Sequence, residues 1–322
     1  MAHDPMLNGE NEKVRSPRNK TITLTAEETN LYAGRLIHLG QLHEGGPALP
    51  KSLTDRIVNA DLFAALPLLP RAFADLIIID PPYNLDKNFH GNSFSARTNA
   101  EYTDYIESWL PAVLECAKKD ATVYVCCDWK ASSAIFSVLE KHTTIRNRIT
   151  WQREKGRGAL HNWKNCSEDI WYATMGSNFY FDVKAVMHRK KVIAPYRENG
   201  EPKDWEETAD GKYRLTHPSN FWDDITVPYW SMSENTDHPT QKPEKLIAKL
   251  ILASSAPGAV IFDPFAGSGT TAVTAKKLGR HFLCLEQNTD YCLWAEKRLE
   301  AAGADAIIQG YSDGVFRERN SV

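Results

Sequence analysis

No apolar run in the sequence approaches the roughly 20 residues that cross a bilayer, and residues 1–20 are polar, without the apolar centre of a secretory signal. A soluble, cytoplasmic protein is therefore expected, with no membrane partner. The six cysteines, at 116, 126, 127, 166, 284 and 292, form no CxxC pair, which argues against a structural zinc site and for reduced core thiols. No metal is called for. Internal repeats and low-complexity tracts are also missing, so solenoid and linker-rich architectures drop out. A net charge of −3 excludes a general polyanion coat.

The charge that is present is unevenly spread. Residues 141–200 hold 12 Lys or Arg against 5 Asp or Glu, a local basic surface suited to a phosphate backbone. Regular alternation of strand-like and helix-like stretches begins near Arg56: strands near 57–60, 76–79, 122–127 and 148–151, with helices over 62–66, 102–118 and 131–141. It breaks down from about Arg153 into short β-like pieces and basic, aromatic loops. It returns with a helix near 245–251, strands at 259–263 and 282–286, and a last helix over 290–299. Alternation of this kind predicts an α/β protein with a doubly wound parallel sheet, interrupted by one insertion. The expected divisions are an N-terminal extension (1–50), partly disordered, two halves of the core (51–152 and 238–310), the insertion between them (153–237) and a C-terminal tail (311–322).

Two runs carry the chemistry. Asp80-Pro81-Pro82-Tyr83 closes the apolar stretch Leu76–Ile79, and so falls at the carboxyl edge of a buried strand, where open α/β sheets bind ligands. Read alone it is also a strand-ending turn. As chemistry, Asp80 and the Pro81 carbonyl can accept both N–H bonds of an amino group on adenine or cytosine, freeing a lone pair otherwise delocalised into the ring. Tyr83 offers a stacking face.

The second run, Asp263-Pro264-Phe265-Ala266-Gly267-Ser268-Gly269-Thr270-Thr271, lies between a strand and a helix. No lysine stands in the phosphate-gripping position, which disfavours a nucleoside triphosphate loop. Glu286 ends the next strand, 23 positions after Asp263, where a carboxylate can hold two ribose hydroxyls. Asp61 follows the strand near 57–60 and serves either to cap the next helix or to accept from an adenine amino group. Thr240, Gln241 and Lys242 precede the helix starting near Glu244. They read either as a proline-bracketed helix start or as a site for an amino acid carboxylate. In the insertion, Arg153, Lys155, Arg157, Lys164, Arg189, Lys190 and Lys191 are candidate DNA contacts. Asn84–Thr98, rich in Asn, Ser and Gly, reads as a loop able to close over a flipped base or as plain surface.

The order of DPPY, a variable region, HPTQKP and DPFAGSGTT resembles the β group of DNA amino methyltransferases over about residues 55–300. The resemblance implies a circularly permuted, Rossmann-like methyltransferase sheet, S-adenosyl-L-methionine as cofactor and double-stranded DNA as substrate. It implies Asp80, Pro81, Pro82 and Tyr83 as the catalytic residues. It further implies Asp61, Thr240, Gln241, Lys242, Asp263, Phe265, Ala266, Gly267, Ser268, Gly269, Thr270 and Glu286 as the cofactor site. DPPY rather than SPPY favours N6 of adenine over N4 of cytosine. A homodimer and a cognate restriction endonuclease are open as partners, and a catalytically silent DNA-binding protein or a nicotinamide dehydrogenase are the rival classes.

Overall fold

The computed structural model describes residues 16–42, 49–85, 87–89, 92–153, 160–193, 195–209 and 211–317. Its centre is a nine-stranded sheet. In chain order the strands are β1 (Ile37–His38), β2 (Arg56–Asn59), β3 (Ala74–Ile79), β4 (Ala117–Cys127), β5 (Thr144–Gln152), β6 (Ser167–Thr174), β7 (Phe221–Trp222), β8 (Val260–Asp263) and β9 (His281–Glu286). In space they run β1-β2-β9-β8-β3-β4-β6-β5-β7. All neighbours are parallel except β6, which is antiparallel to both β4 and β5.

Layering follows from the side-chain period of the central strands. On β3, Ile77 and Ile79 belong to one apolar cluster and Leu76 and Ile78 to the other, so the strand is buried on both faces. Helices α1 (Ala26–Ala33), α2 (Leu62–Ala65), α3 (Asn99–Leu114), α4 (Ser132–His142), α5 (Glu244–Ser254), α6 (Thr270–Lys277) and α7 (Thr289–Ala304) flank the sheet. Tyr102, Ile106 and Trp109 of α3 and Ile135 and Val138 of α4 pack on one face. Leu246 and Leu250 of α5, Val273 of α6 and Leu299 of α7 pack on the other. This is the doubly wound α/β architecture that the alternation predicts. Helix α3 starts at a capping box between Thr98 and Glu101 and ends four residues short of the expected Lys118, because β4 begins at Ala117.

The segment 153–237 is less separate than its composition suggests. Strands β6 and β7 fall inside it and complete the main sheet. The signal in β6 was masked by polar residues, yet Glu168, Ile170 and Tyr172 alternate inward. A smaller five-stranded sheet takes Glu206–Thr208, Gly211–Thr216, His188–Lys191, Val315–Arg317 and Tyr311–Ser312 in that spatial order. Residues expected as a C-terminal tail therefore supply two of its strands.

Helix α5 is buried along its whole length. Its Lys245 and Lys249, one turn apart, both bond the buried Asp224 at 2.9 Å, and His188 of the small sheet lies 3.4 Å from the same carboxylate. Against the upward push of burial, the hydrogen bond from His188 and the ammoniums of Lys249 and Lys245 hold Asp224 far below the usual carboxylate range. Buried charges persist only when paired in this way.

Candidate active site

The carboxyl ends of β3, β8 and β9 open into a cavity of about 330 Å³. Asp80, Pro81, Pro82 and Tyr83 form one wall, and Asp263, Phe265, Ala266, Gly267, Ser268, Thr270 and Glu286 line it too, together with Asp61, Thr240, Gln241 and Lys242. Gly269 is the one predicted cofactor residue outside the lining.

At the Asp80–Tyr83 wall, the Tyr83 hydroxyl lies 3.0 Å from Asp80 Oδ1 and 3.0 Å from Glu168 Oε2, and its single proton serves one of them at a time. Lys242 Nζ donates to Asp80 Oδ2 at 2.6 Å and to the Tyr83 oxygen at 3.0 Å, and lies 3.3 Å from Glu168 Oε2. Arg153 Nη1 pairs with the other Glu168 oxygen. Two carboxylates thus face two cations around one phenol, a balanced set that lets Glu168 sit 3% exposed. Burial alone would push the Lys242 ammonium down, but Asp80 and Glu168 outweigh it and hold it above its ordinary range. Burial, reinforced by the same carboxylates, keeps the Tyr83 hydroxyl protonated. Asp80 is therefore a hydrogen-bond acceptor already shared with an ammonium. The Pro82 carbonyl is taken by the Tyr102 hydroxyl at 2.9 Å, whereas no donor reaches the Pro81 carbonyl among the described residues.

The glycine turn is built around buried carboxyls. Asp263 Oδ1 accepts from Phe265 N at 2.9 Å and fixes the exit from β8. Glu286 Oε2 accepts from Gly267 N, and its Oε1 from Asn288 N, both at 2.8 Å. Burial pushes both Asp263 and Glu286 up to about 7. The two glycines do different jobs. A Cβ on Gly267, at φ 52°, would meet the His238 ring at 3.0 Å beside the cavity. A Cβ on Gly269, at φ 78°, would meet Ala295 Cβ of α7 at 2.4 Å, so this glycine serves the packing of α6 against α7. Ser268 and Thr270 are likewise turned to protein: Arg298 Nη1 donates to Ser268 O at 2.8 Å and to Thr270 Oγ1 at 3.1 Å, and Nη2 to Glu244 at 3.0 Å.

The 238–243 loop differs from its expected use. Gln241 bonds Thr236 N, Thr236 Oγ1 and Glu234 O, which braces the loop itself. The amide of Glu244, at the start of α5, is occupied by Glu234 at 2.8 Å. Lys242 points to Asp80 instead of to the α5 terminus. Asp61 accepts from Ala64 N at 3.2 Å as the N-cap of α2, the first of its two readings, and also lines the cavity.

The basic candidates are dispersed. Lys155 and Arg157 lie outside the described residues. Arg153, expected at the DNA surface, belongs to the cavity wall. Lys164, Lys190 and Lys191 are exposed, while Arg189 rests 4.0 Å over the Tyr213 ring. Much of the basic excess of 141–200 is used internally: Lys141 pairs with Glu107 and Arg148 with Asp169, and Arg146 bonds Thr174 and Gly176. Asn84 clamps both ends of the Asn84–Thr98 segment through Arg97 N and O, and part of it forms a hairpin, Lys87–Phe89 with Asn92–Phe94. Glu168 and Arg298 were missed in the sequence. Each reads there as an ordinary polar position on a strand or an amphipathic helix, and only the fold shows its burial.

Comparison with known proteins agrees with this geometry. A family profile described as DNA methylase, covering N6 and N4 methyltransferases, matches residues 74–297. The chain is 34% identical over 258 residues to the DNA adenine methyltransferase YhdJ of Escherichia coli K12, covering 76% of this chain and 83% of that protein. It is 30% identical over 260 residues to the type II methyltransferase M.HpaI of Haemophilus parainfluenzae, covering 79% and 78%. Its fold is similar to PvuII DNA methyltransferase, a cytosine-N4-specific enzyme (TM-score 0.55, 16% identity, 87% of this chain and 98% of that one). It is also similar to M1.HpyAVI, solved as a complex with SAM (TM-score 0.52, 21% identity, 76% and 98%). With its profile spanning most of the core and its two-sided cavity between β3 and β8, this chain belongs to the N6/N4 DNA methylase family.

Proposed function

We propose that the protein transfers a methyl group from S-adenosylmethionine to the N6 amino group of adenine in double-stranded DNA, on a base rotated out of the duplex. The observation that carries this reading is the shared cavity: the acceptor pair Asp80 and Pro81 O stands on one wall and the glycine turn with Glu286 on another. The donors and acceptors fit the cofactor. Glu286 keeps acceptor capacity beyond its two backbone bonds for a ribose diol, Asp61 borders the cavity beside it, and Phe265 gives an apolar surface held edge-on by Trp109 at 5.1 Å. Bound there, the cofactor supplies a sulfonium-activated methyl.

The residues of this chain then supply alignment. Asp80 and the Pro81 carbonyl accept the two amino N–H bonds and turn the nitrogen lone pair away from the ring. Tyr83, anchored through its hydroxyl, offers its ring for stacking. With the cofactor held by Glu286, Asp61 and the glycine turn, its activated methyl would be the electrophile for that lone pair, while Asp80 and the Pro81 carbonyl would hold the amino protons until one is released to solvent. Orientation of two bound reactants is worth about 7–11 kcal/mol of barrier in favourable cases. The adenine reading is supported by the DPPY sequence and by the likeness to an adenine-specific relative. Nucleoside mass spectrometry of DNA treated with the protein tests it: N6-methyldeoxyadenosine is expected, and N4-methyldeoxycytidine would replace adenine by cytosine in the same geometry.

A further inference from the structure

Arg153 leaves the end of β5 on a fixed backbone, its amide donating to Cys166 O at 2.6 Å as a continuation of the β5–β6 ladder. Arg153 lines the cavity, and its Nη1 is held from behind by the buried Glu168. Glu168 Oε2 in turn meets the Tyr83 hydroxyl, whose other neighbour is Asp80 Oδ1. A single chain of contacts therefore fixes the guanidinium relative to the catalytic carboxylate. Arg153 Nε is buried and has no hydrogen-bond partner among the described residues. A buried donor left unmade costs about 1–3 kcal/mol, which leaves the Arg153 head under-bonded among the described residues.

Resting on the reading of this site as one for DNA amino methylation, we propose that Arg153 donates to a ring nitrogen of the flipped base adjacent to its exocyclic amino group, and that Glu168 is the positioning residue that aims it. Adenine presents N1 and N7 as acceptors flanking N6, and cytosine presents N3 beside N4. An acceptor at Asp80 and a donor at Arg153 are complementary to that edge. Thymine and guanine present a carbonyl where the amino group must be, beside N–H at thymine N3 and guanine N1, and so meet Asp80 with an acceptor. Arg153 thus joins Asp80 as a base-reading group, instead of gripping phosphate.

The test uses the full-length protein and duplexes carrying its methylation site, read beforehand by methylation-aware sequencing. The target base is adenine, 1-deazaadenine, 7-deazaadenine or absent. Wild type should bind and methylate one of the two deaza duplexes roughly 10- to 100-fold less well than the adenine duplex, the worth of one hydrogen bond to a charged donor. Arg153→Ala should erase that difference while keeping the affinity for abasic DNA and for S-adenosylmethionine. Glu168→Gln should reduce the difference and Arg153→Lys restore part of it. Since Arg153→Ala leaves Glu168 short of a cation, the paired variant Arg153→Met with Glu168→Gln supplies a charge-balanced replacement if the single one fails to fold. Equal handling of all three bases by wild type, or discrimination surviving in Arg153→Ala or in the paired Arg153→Met, Glu168→Gln variant, overturns the proposal. Loss of abasic-DNA affinity would assign Arg153 to phosphate, and loss of cofactor affinity to the methionine carboxylate. If the modified base proves to be cytosine, the adenine reading fails, and 3-deazacytosine replaces the purine analogues with the same expected outcomes.

Discussion

Lys242 Nζ lies 2.6 Å from Asp80 Oδ2, across 162 residues of chain. The loop leading into α5 therefore holds the Asp80 carboxylate, and the two motifs are one constellation in space. Asp80→Ala is expected to lower methyl transfer by at least about 10²- to 10³-fold, the usual cost of removing one preorganised polar partner of the reacting group. Cofactor affinity by calorimetry should stay near wild type, because Glu286 and the glycine turn are untouched. Turnover at the parent rate would remove Asp80 from the reaction.

The glycines of the turn should separate into a folding and a binding phenotype. Gly269→Ala places a methyl 2.4 Å from Ala295 Cβ at a left-handed φ of 78°, and should cost on the order of 3 kcal/mol in urea unfolding. Gly267→Val instead presses on the His238 ring at the cavity edge and should weaken cofactor binding more than it weakens folding. Unchanged cofactor affinity in Gly267→Val would move the site away from this turn.

Glu286 gives a pH dependence of defined sign. Its carboxyl is raised from the ordinary 4.5 to about 7 by burial, against the backbone bonds from Asn288 and Gly267. The folded protein thus holds this proton more tightly than the unfolded chain does. The stability it contributes is complete below about pH 4.5 and is lost as pH rises through about 7. Cofactor binding runs the other way, since the ionised carboxylate is the better acceptor for ribose hydroxyls. Between pH 5 and 8, wild type should lose melting temperature relative to Glu286→Gln and gain cofactor affinity relative to it. A wild-type affinity that falls across this range, referenced to the variant, contradicts the ribose assignment.

On the small sheet, Lys190 and Lys191 are exposed and Arg189 is stacked on Tyr213. If the strand contacts phosphates, replacing all three by Ala should weaken binding to any DNA sequence and flatten the log–log salt dependence by up to about 0.9 for each lost contact. Cofactor affinity should not change. A parental salt slope would mark the strand as a solvated face.

What could be read from the chain divides along physical lines. Leu76–Ile79 and the stretch before Asp263 announce buried strands because parallel strands covered on both faces need unbroken apolar runs. The turns after them stand out because proline and glycine have few other reasons to cluster there. The work of Lys242 was hidden, since nothing local says that a lysine before α5 meets a carboxylate after β3. Glu168 and Arg298 were hidden for a related reason: a buried charge is recognisable only by its partners, and theirs come from other elements. Strand β6 was obscured by the polar members of its own alternation.

The strand His188–Lys191 finds its parallel partner in Val315–Arg317, more than a third of the chain later. During synthesis the central β3–β4 pair can form early, whereas the small sheet is complete only once residues 311–317 have emerged. Phe316, fully buried and 5.5 Å from the ammonium of Lys249, closes over α5 only at that stage. The basic strand, paired with Gly211–Thr216, thus gains its second neighbour only after Asp80–Tyr83 and the glycine turn are made, so a product ending before Tyr311 would carry both motifs and still lack the finished surface beside them.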